Sequence, residues 1–288
     1  MANYSIKDIE LLTGIKAHTL RIWEQRYNIP APKRTETNIR FYDDDDLKLL
    51  LNISLLNRNG HKISEIVSLS SQEISDLAVN YSLLSNKNPV QIQSLINAMI
   101  EMDEAAFERV LSTCILQSGL ENTMMEIVFP FMNAVGVLWQ TGTVVPAYEH
   151  FSTNIIRQKL IMAIDGQPIR NQSSVKKFLL FLPEGEWHEL GLLFANYLIR
   201  SSGNHSIYLG QNVPIADLLS VAKRYQPDFI FLSMTTAFTQ EYTSRLLSLL
   251  KKEIPDSVLL GNGYNFLDNP DIPPVNIIQV PADLRKFF

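Results

Sequence analysis

The sequence predicts a multidomain protein in which helical segments precede a C-terminal α/β domain. Apolar residues recur at helical spacing as far as about residue 165, and a polar linker follows at residues 166–176. Beyond the linker, short apolar runs alternate with helical patterns to the end of the chain. We therefore expect a first domain at 1–75, a helical bundle at 76–165 and an α/β domain at 177–288.

Composition argues against several classes of protein. The chain has 288 residues, of which 46% are hydrophobic, but its apolar runs are shorter than the roughly 18 residues of a membrane helix. The N-terminus lacks a basic-then-apolar signal, and Cys114 is the single cysteine. We expect a cytoplasmic protein without a membrane segment, a disulfide framework or a cysteine-based zinc site.

Charge is unevenly distributed along the chain. Residues 1–70 hold ten Lys or Arg and nine Asp or Glu, a net charge of +1, whereas the remainder holds 15 and 21, a net charge of −6. Four of the acids form the run Asp43–Asp46, which is expected to stabilise the N-terminus of a helix; a metal site is the alternative. A mild basic bias is by itself weak evidence for nucleic-acid binding.

The first segment has the pattern of a helix-turn-helix followed by a hairpin. Ser5 caps a short amphipathic helix, Thr13-Gly14-Ile15 forms a turn, and Lys16–Tyr27 predicts a second helix. A turn-rich hairpin follows, which can lie along a nucleic-acid backbone as a wing. Basic and hydroxyl side chains on these elements suit phosphates and base edges. The candidate contacts are Lys16, His18, Thr19, Arg21, Arg26, Tyr27, Arg34, Arg40 and Tyr42.

The segments Tyr4-Ser5-Ile6, Thr19–Tyr27 and Arg40-Phe41-Tyr42 together resemble the MerR family of winged-helix transcription regulators, over about residues 3–70. The resemblance implies double-stranded operator DNA as partner, with the second helix in the major groove. Many such proteins dimerise through one long helix, but Ser85–Pro89 interrupts the helical pattern here and no heptad repeat follows. A homo-oligomer, either a dimer or a dimer of dimers, is therefore expected to form through the later domains.

Residues 76–165 predict a four-helix bundle, in which Trp139 ends the third helix and Glu149-His150 begins the fourth. The Trp-x9-Glu-His spacing resembles the helical cap over cobalamin in methionine synthase and in cobalamin-dependent MerR-type photoreceptor repressors. The resemblance implies that Trp139 packs over the upper ligand, with Glu149 and His150 near it, and it favours adenosylcobalamin. The alternatives are a core tryptophan and a hydrogen-bonded helix histidine. Gln140 stands where those repressors carry a second histidine, which weakens the expectation of light control.

The alternating pattern of the last segment predicts a flavodoxin-like Rossmann domain with a parallel, doubly wound sheet. No Gly-x-Gly-x-x-Gly follows the first strand, so phosphate-binding Rossmann chemistry is not expected. The predicted strands are Phe178–Leu182, Ser206–Leu209, Phe229–Met234, Val258–Leu260 and Val275–Val280.

A Glu-x-His-x-x-Gly stretch, Glu186 to Gly191, follows the first predicted strand. Ligands of such sheets bind outside the carboxyl ends of the strands. The stretch resembles the Asp-x-His-x-x-Gly signature of cobalamin-binding domains, which implies that His188 ligates cobalt. Neutral imidazole suits cobalt, and Glu186 can hold the other ring nitrogen. An ordinary surface histidine is the alternative.

Three later strand ends also resemble these domains. Leu209–Pro214, Ser233–Thr235 and Gly261–Gly263 match positions at which small residues admit a nucleotide tail and a serine hydroxyl bonds its base. The candidate cofactor residues are Trp139, Glu149, His150, Glu186, His188, Gly191, Ser233, Thr235, Gly261 and Gly263, with His188 as the metal ligand.

The sequence as a whole predicts a DNA-binding transcription regulator, a repressor and not an enzyme. Its oligomerisation or DNA affinity is expected to be controlled by cobalamin bound between the bundle and the Rossmann domain. One alternative is a MerR-type regulator with a degenerate, cobalamin-free sensor that acts through protein contacts, because Glu186, Thr235 and Asn262 depart from the motifs. Another is a corrinoid methyl-transfer protein, against which the DNA-binding segment argues.

Overall fold

A computed structural model describes most of the chain, and the chain divides into two units, Met1–Ile155 and Ile156–Phe288. Part of the predicted linker, the break at 85–86 and the loop at 141–143 lie outside the described residues. None of the helices described is long and apolar enough to cross a membrane. The described residues are 4–34, 40–84, 87–140, 144–168, 175–236, 238–263, 266 and 274–288.

The first unit is helical apart from one two-stranded hairpin. Its elements are α1 (Ile6–Thr13), α2 (Ala17–Tyr27), β1 (Lys33–Arg34), β2 (Arg40–Phe41), α3 (Asp44–Arg58), α4 (Ile63–Ile66), α5 (Ser71–Leu84), α6 (Pro89–Ile100), α7 (Glu104–Thr123), a π-helical turn (Met124–Val128), α8 (Phe129–Gln140) and α9 (Pro146–Asp165). The boundary between the two units falls within α9.

Local capping explains the first elements. The Ser5 hydroxyl accepts a hydrogen bond from Asp8 N at 3.3 Å, and the Asp8 carboxylate accepts one from Ser5 N at 2.7 Å. Gly14 ends α1 with a φ of 72°, and a Cβ at this position would lie 2.5 Å from the Arg58 guanidinium. The Arg58 side chain could move away from a Cβ, so it is the positive φ that makes glycine the favoured residue in the tight turn between α1 and α2.

The acidic run opens α3 as predicted. Asp43 is the N-cap, and its Oδ1 accepts hydrogen bonds from the backbone N–H groups of Asp45 and Asp46 at 3.1 and 3.0 Å. The role of this run in starting a helix is confirmed.

The helices after α3 pack into the same unit. α5 packs against both α3 and α8, and α6 packs against α7 and α8. Gly119 has non-helical backbone angles and breaks α7 near its end. The predicted boundary at residue 75 falls inside α5, whose side chains contribute to the core around α3.

The second unit is a five-stranded parallel sheet with helices on both faces, which confirms the predicted α/β class. The strand order is β4-β3-β5-β6-β7. The chain first adds β4 on one side of β3 and then continues on the other side with β5, so the strand order reverses between β3 and β5. Its elements are β3 (Lys177–Pro183), α10 (Leu190–Ser201), β4 (His205–Val213), α11 (Ile215–Tyr225), β5 (Phe229–Ser233), α12 (Gln240–Glu253), β6 (Val258–Asn262), β7 (Asn276–Ile277) and a 3₁₀ helix (Pro281–Phe287).

Alternating side chains of β3 explain the two-sided core. Phe178, Leu180 and Leu182 face the cluster that contains α10 and the 3₁₀ helix. Leu179 and Phe181 face the cluster that contains α11 and α12. A strand buried on both faces reads as one continuous apolar run, as this one does.

Three strands differ from the prediction by two residues or more at one end. β4 continues beyond Leu209 to Val213, because Gly210 and Asn212 take positive φ values of 81° and 53° and the pairing with β3 continues through register shifts. β6 extends to Asn262, and β7 is only two residues long. The predicted turn after the second strand is therefore part of the strand.

Candidate functional site

The loop after β3 carries His188 at the carboxyl edge of the sheet. The turn is closed by Glu186 N, which donates to Pro183 O at 3.0 Å, and Gly185 takes a φ of 87°. α10 begins at Leu190, directly after this loop. The His188 side chain is 65% exposed, so its ring is accessible from solvent.

Glu186 is fully buried and organises this edge of the sheet. Its Oε1 lies 2.6 Å from His188 Nδ1 and accepts hydrogen bonds from the backbone N–H groups of Trp187 and His188, both at 3.0 Å. Its Oε2 accepts from Thr235 N at 2.6 Å and Thr236 N at 2.7 Å, in the loop after β5. One carboxylate thus joins the β3 and β5 loops at the point where strand order reverses.

These contacts keep the carboxylate ionised. Burial alone would raise the pKa of Glu186, but the hydrogen bonds from His188 and from the Thr236 backbone N–H lower it to about 2. An ionised Glu186 accepts only, so His188 Nδ1 must carry the proton in this contact. In the neutral ring the lone pair is then on Nε2, the nitrogen a metal would use.

β4 fixes the same loop from the other side. Asn212 Oδ1 accepts from Gly185 N at 2.9 Å, and Asn212 N donates to Glu186 O at 3.2 Å. Gln211 Nε2 donates to Trp187 O at 2.7 Å. The sequence reasoning missed Gln211, Asn212 and Thr236 as parts of this edge. The resemblance of Leu209–Pro214 to cobalamin-binding domains indicated that the end of this strand lies near the site, but it gave no role to any single residue.

The structure brings Glu186, His188 and Thr235 together and gives Thr235 a backbone role. The departure at Thr235 is unimportant for this role, because the backbone N–H rather than the side chain contacts Glu186. Gly191, in the first turn of α10, has no other atom within 4 Å of where a Cβ would stand. A side chain at Gly191 would therefore meet none of the described residues around it.

At the predicted nucleotide position beside β5 and β6, two side chains of the protein pack directly against Gly261. A Cβ at Gly261 would lie 2.9 Å from Val275 and 3.2 Å from the buried Phe266 ring. Ser233 Oγ donates to Asn262 Oδ1 at 3.3 Å. Gly263 has a φ of 127°, and a Cβ there would lie 2.1 Å from a backbone oxygen, so glycine is required for the fold itself. The residues described around His188 thus suit an imidazole ligand for a metal, whereas those packed against Gly261 leave no room there for a nucleotide tail.

The predicted cap residues lie on α8 and α9. The Trp139 side chain is 39% exposed, and Lys48 Nζ of α3 lies 5.8 Å from its ring centroid. Glu149 Oε2 lies 2.9 Å from His150 Nδ1, and its Oε1 accepts from Thr153 Oγ1 at 2.5 Å. Trp139 is therefore not a core residue, and His150 is 73% exposed. The side chain of Gln140 lies outside the described residues.

On α2, the candidate DNA contacts His18, Arg21 and Arg26 are exposed, as is Lys16 just before the helix. Lys16 also lies 3.4 Å from Glu10. Thr19 and Tyr27 are half-buried. Three basic side chains and the His18 ring therefore face solvent on α2 and directly before it.

Glu24 ties the hairpin to α2, a role that the sequence reasoning missed. Its Oε1 accepts from Arg34 at 3.0 Å and its Oε2 from Arg40 at 2.8 Å. Burial alone would raise the pKa of Glu24, but the two guanidinium groups lower it below its ordinary value. Lys33 pairs with Asp43 in the same way, and its hydrogen bond lowers the pKa of Asp43 to about 2.

Tyr42 corrects one predicted DNA contact. Its side chain is 1% exposed and packs in the core with α1, α2 and α3. The backbone of Tyr42 pairs with Tyr4 in both directions, at 2.8 and 2.9 Å. Tyr42 therefore anchors the hairpin from inside and does not reach a DNA surface.

Two family models match parts of this chain. The MerR HTH family regulatory protein model matches residues 4–73, and the B12 binding domain model matches residues 91–163. The HTH-type transcriptional repressors CarH and CarA of Myxococcus xanthus are each 28% identical to this chain, over 88% and 89% of it and 85% of each relative. The chain is a homologue of these repressors. It combines a MerR helix-turn-helix domain with a B12-binding domain.

A solved structure shares the fold. The monomethylamine corrinoid protein of Methanosarcina barkeri superposes with a TM-score of 0.54 at 14% identity, covering 69% of this chain and 97% of that protein. This likeness concerns the fold alone.

Proposed function

We propose that this protein is a DNA-binding transcription regulator, a repressor, that binds a cobalamin through His188. One observation carries the proposal: the His188 ring is exposed while its Nδ1 lies 2.6 Å from a fully buried, ionised Glu186. A carboxylate in that position fixes the tautomer and the orientation of a ligating imidazole and raises its basicity. The similarity to two transcriptional repressors supports the regulatory part of this proposal, and the match to the B12 binding domain model supports the cofactor.

Cobalamin would supply a cobalt centre that a neutral imidazole can bind. His188 would present Nε2 to the metal, and Glu186 would hold the Nδ1 proton. Gly191, three residues after His188, places no side chain in the first turn of α10. The resemblance assigns Trp139, Glu149 and His150 to a further ligand of the cofactor, for which it favours an adenosyl group.

DNA binding would use α2 and the hairpin. The exposed Lys16, His18, Arg21 and Arg26 suit phosphates and the edges of bases in a major groove. Arg34 and Arg40, held by Glu24, would place the hairpin against the flanking backbone. The partner is double-stranded operator DNA, and binding as a homo-oligomer would engage two half-sites.

Cobalamin would control DNA binding through a difference in affinity between two states of the protein. If the cofactor binds the DNA-competent oligomer more tightly, then DNA must also raise the affinity for the cofactor by the same factor. This reciprocity distinguishes control of DNA binding by cobalamin from two independent sites, for which neither ligand changes the affinity for the other.

The test is cobalamin retention by the full-length protein, mixed with adenosylcobalamin in the dark and passed through gel filtration. We expect a coloured protein with one cobalamin per chain, and loss of the colour in His188→Ala. His205→Ala is the matched control, because His205 opens β4 at the opposite edge of the same sheet. A wild-type protein that elutes colourless, or a His188→Ala variant that stays coloured, contradicts the proposal.

A cobalamin-free regulator is the second candidate function. The packing of Phe266 and Val275 against Gly261, at the predicted nucleotide position, favours it. In that case the protein elutes colourless yet selects a defined duplex from a random-sequence library. A coloured protein whose duplex affinity changes on loading excludes this candidate.

A further inference from the structure

A second buried carboxylate, Glu189, lies directly after His188. Its side chain is 8% exposed, and its Oε1 accepts a hydrogen bond from Arg157 Nε of α9. Its Oε2 accepts from Tyr208 OH of β4 at 2.8 Å. Arg157, Glu189 and Tyr208 form a set that we call the Glu189 anchor.

The Glu189 side chain is not used by its own helix. Glu189 occupies the N-cap position of α10, yet within the described part of the chain its carboxylate makes no capping hydrogen bond there. Instead it turns inward to partners 32 residues before and 19 residues after it in sequence. A buried carboxylate is costly unless fully paired, so both partners are needed to keep it there.

The partners suit this task. Burial raises the pKa of Tyr208, and the negative charge of Glu189 raises it further, so the phenol remains a hydrogen-bond donor. The Tyr208 ring packs against the cluster that contains α10 and the 3₁₀ helix, which fixes the hydroxyl. Arg157 adds the charge that a buried carboxylate requires.

We propose that the Glu189 anchor is a positioning device for His188, an inference that rests on the proposed function. Glu186 holds the imidazole by its Nδ1, and Glu189 holds the backbone one residue beyond it. The histidine is thus fixed on both sides by buried carboxylates, while Trp187 and His188 themselves are exposed. A ligand whose backbone is already ordered loses less entropy when it binds a metal.

Through the Arg157–Glu189 hydrogen bond, the anchor also connects α9 to the loop that carries His188. Arg157 lies within the stretch that matches the B12 binding domain model, residues 91–163, whereas His188 lies outside it. Positioning of the metal ligand would therefore depend on a residue of that domain.

The first test uses hydrogen exchange of the full-length protein without cobalamin. The backbone N–H groups of Trp187 and His188 both donate hydrogen bonds to Glu186, so we expect them to exchange slowly in the wild type. We expect Arg157→Met to speed their exchange by about tenfold, since it removes a charged hydrogen bond that holds the loop. Arg224→Met, which removes an exposed arginine from the end of α11, is the matched control and should leave this exchange unchanged.

The second test measures the dissociation constant of adenosylcobalamin and the absorbance change that marks imidazole ligation. Arg157→Met should weaken binding by about tenfold and lower the imidazole-ligated fraction, and Arg157→Lys should restore part of both. Tyr208→Phe keeps the ring but removes the hydroxyl, so it should weaken binding and lower the imidazole-ligated fraction by smaller amounts. This variant replaces Arg157→Met in the test if Arg157→Met does not fold.

The outcomes separate the two claims. Unchanged exchange at Trp187 and His188 in both Arg157→Met and Tyr208→Phe overturns the anchor. Exchange that rises equally throughout the sheet also overturns it, because the role is then merely structural. If the wild-type protein binds no cobalamin, the proposed function fails, but the exchange experiment still decides whether the anchor holds the loop.

Discussion

Replacing Glu186 with glutamine tests the central feature of the site. The two carboxylate oxygens accept hydrogen bonds from the backbone N–H groups of Trp187, His188, Thr235 and Thr236, at 2.6 to 3.0 Å. A glutamine amide offers one oxygen and a donor group, so it leaves two of these N–H groups without an acceptor whichever way it turns.

The cost can be worked out in two ways. Two buried, unsatisfied N–H groups cost about 1–3 kcal/mol each. The lowering of the Glu186 pKa from 4.5 to about 2 corresponds to roughly 3 kcal/mol, at about 1.4 kcal/mol per pKa unit. We therefore expect Glu186→Gln to destabilise the second unit by roughly 3 kcal/mol at pH 7.

The assay is native-state hydrogen exchange of the buried β3 amides in the full-length protein, which reports opening of the sheet without assuming that both units unfold together. Glu184→Gln is the matched control, since Glu184 is exposed in the same loop. We expect a change below about 0.5 kcal/mol for this control. Equal stability of the Glu186→Gln and Glu184→Gln variants would refute the reasoning.

Acid provides a further check on the same residue. The folded-state pKa of Glu186 is lowered, so its contribution to stability is fully present above its unfolded value of 4.5 and is lost as pH falls towards about 2. The stability difference between the wild type and Glu186→Gln should therefore shrink over this range. A difference that stays constant from pH 6 to pH 2.5 would show that ionisation of Glu186 is irrelevant.

Three other predictions concern the DNA-binding surface and the sheet. Arg21→Met should weaken binding to a selected duplex and reduce the slope of log affinity against log salt by about one, and an unchanged slope would mean that Arg21 contacts no phosphate. Tyr42→Phe should leave duplex affinity unchanged because the ring is buried, whereas Tyr42→Ala should cost about 3–5 kcal/mol in an unfolding titration. Gly263→Ala should destabilise the second unit by about 2 kcal/mol or more in exchange measurements, since its Cβ would lie 2.1 Å from Met234 O; wild-type stability would mean that the loop moves freely.

Much of the fold could be predicted because its signals are local. The Ser5 cap, the Gly14 turn and the Asp43 cap depend on residues within a few positions of one another. The apolar run of β3 is visible because both of its faces are buried. The Glu186–His188 pair is two residues apart and was likewise within reach of pattern reasoning.

Other features depended on which distant residues meet. Tyr42 follows a strand of two residues, too short for periodicity to tell its inner face from its outer one, so a core side chain resembled a DNA contact. The predicted end of β4 was wrong. Glycine usually ends a strand, but here Gly210 and Asn212 adopt positive φ values and the pairing of β4 with β3 continues.

The sequence by itself determined the order of domains, the helix-turn-helix, the α/β class and the histidine with its neighbouring carboxylate. Only the tertiary structure decided which distant residues hold the two carboxylates beside that histidine. The Thr235 and Thr236 N–H groups reach Glu186 from 49 and 50 residues away, and Arg157 reaches Glu189 across 32. The physical reason is that a parallel sheet brings the carboxyl ends of its strands to one edge, and strand order, which no local pattern encodes, selects the loops that meet there.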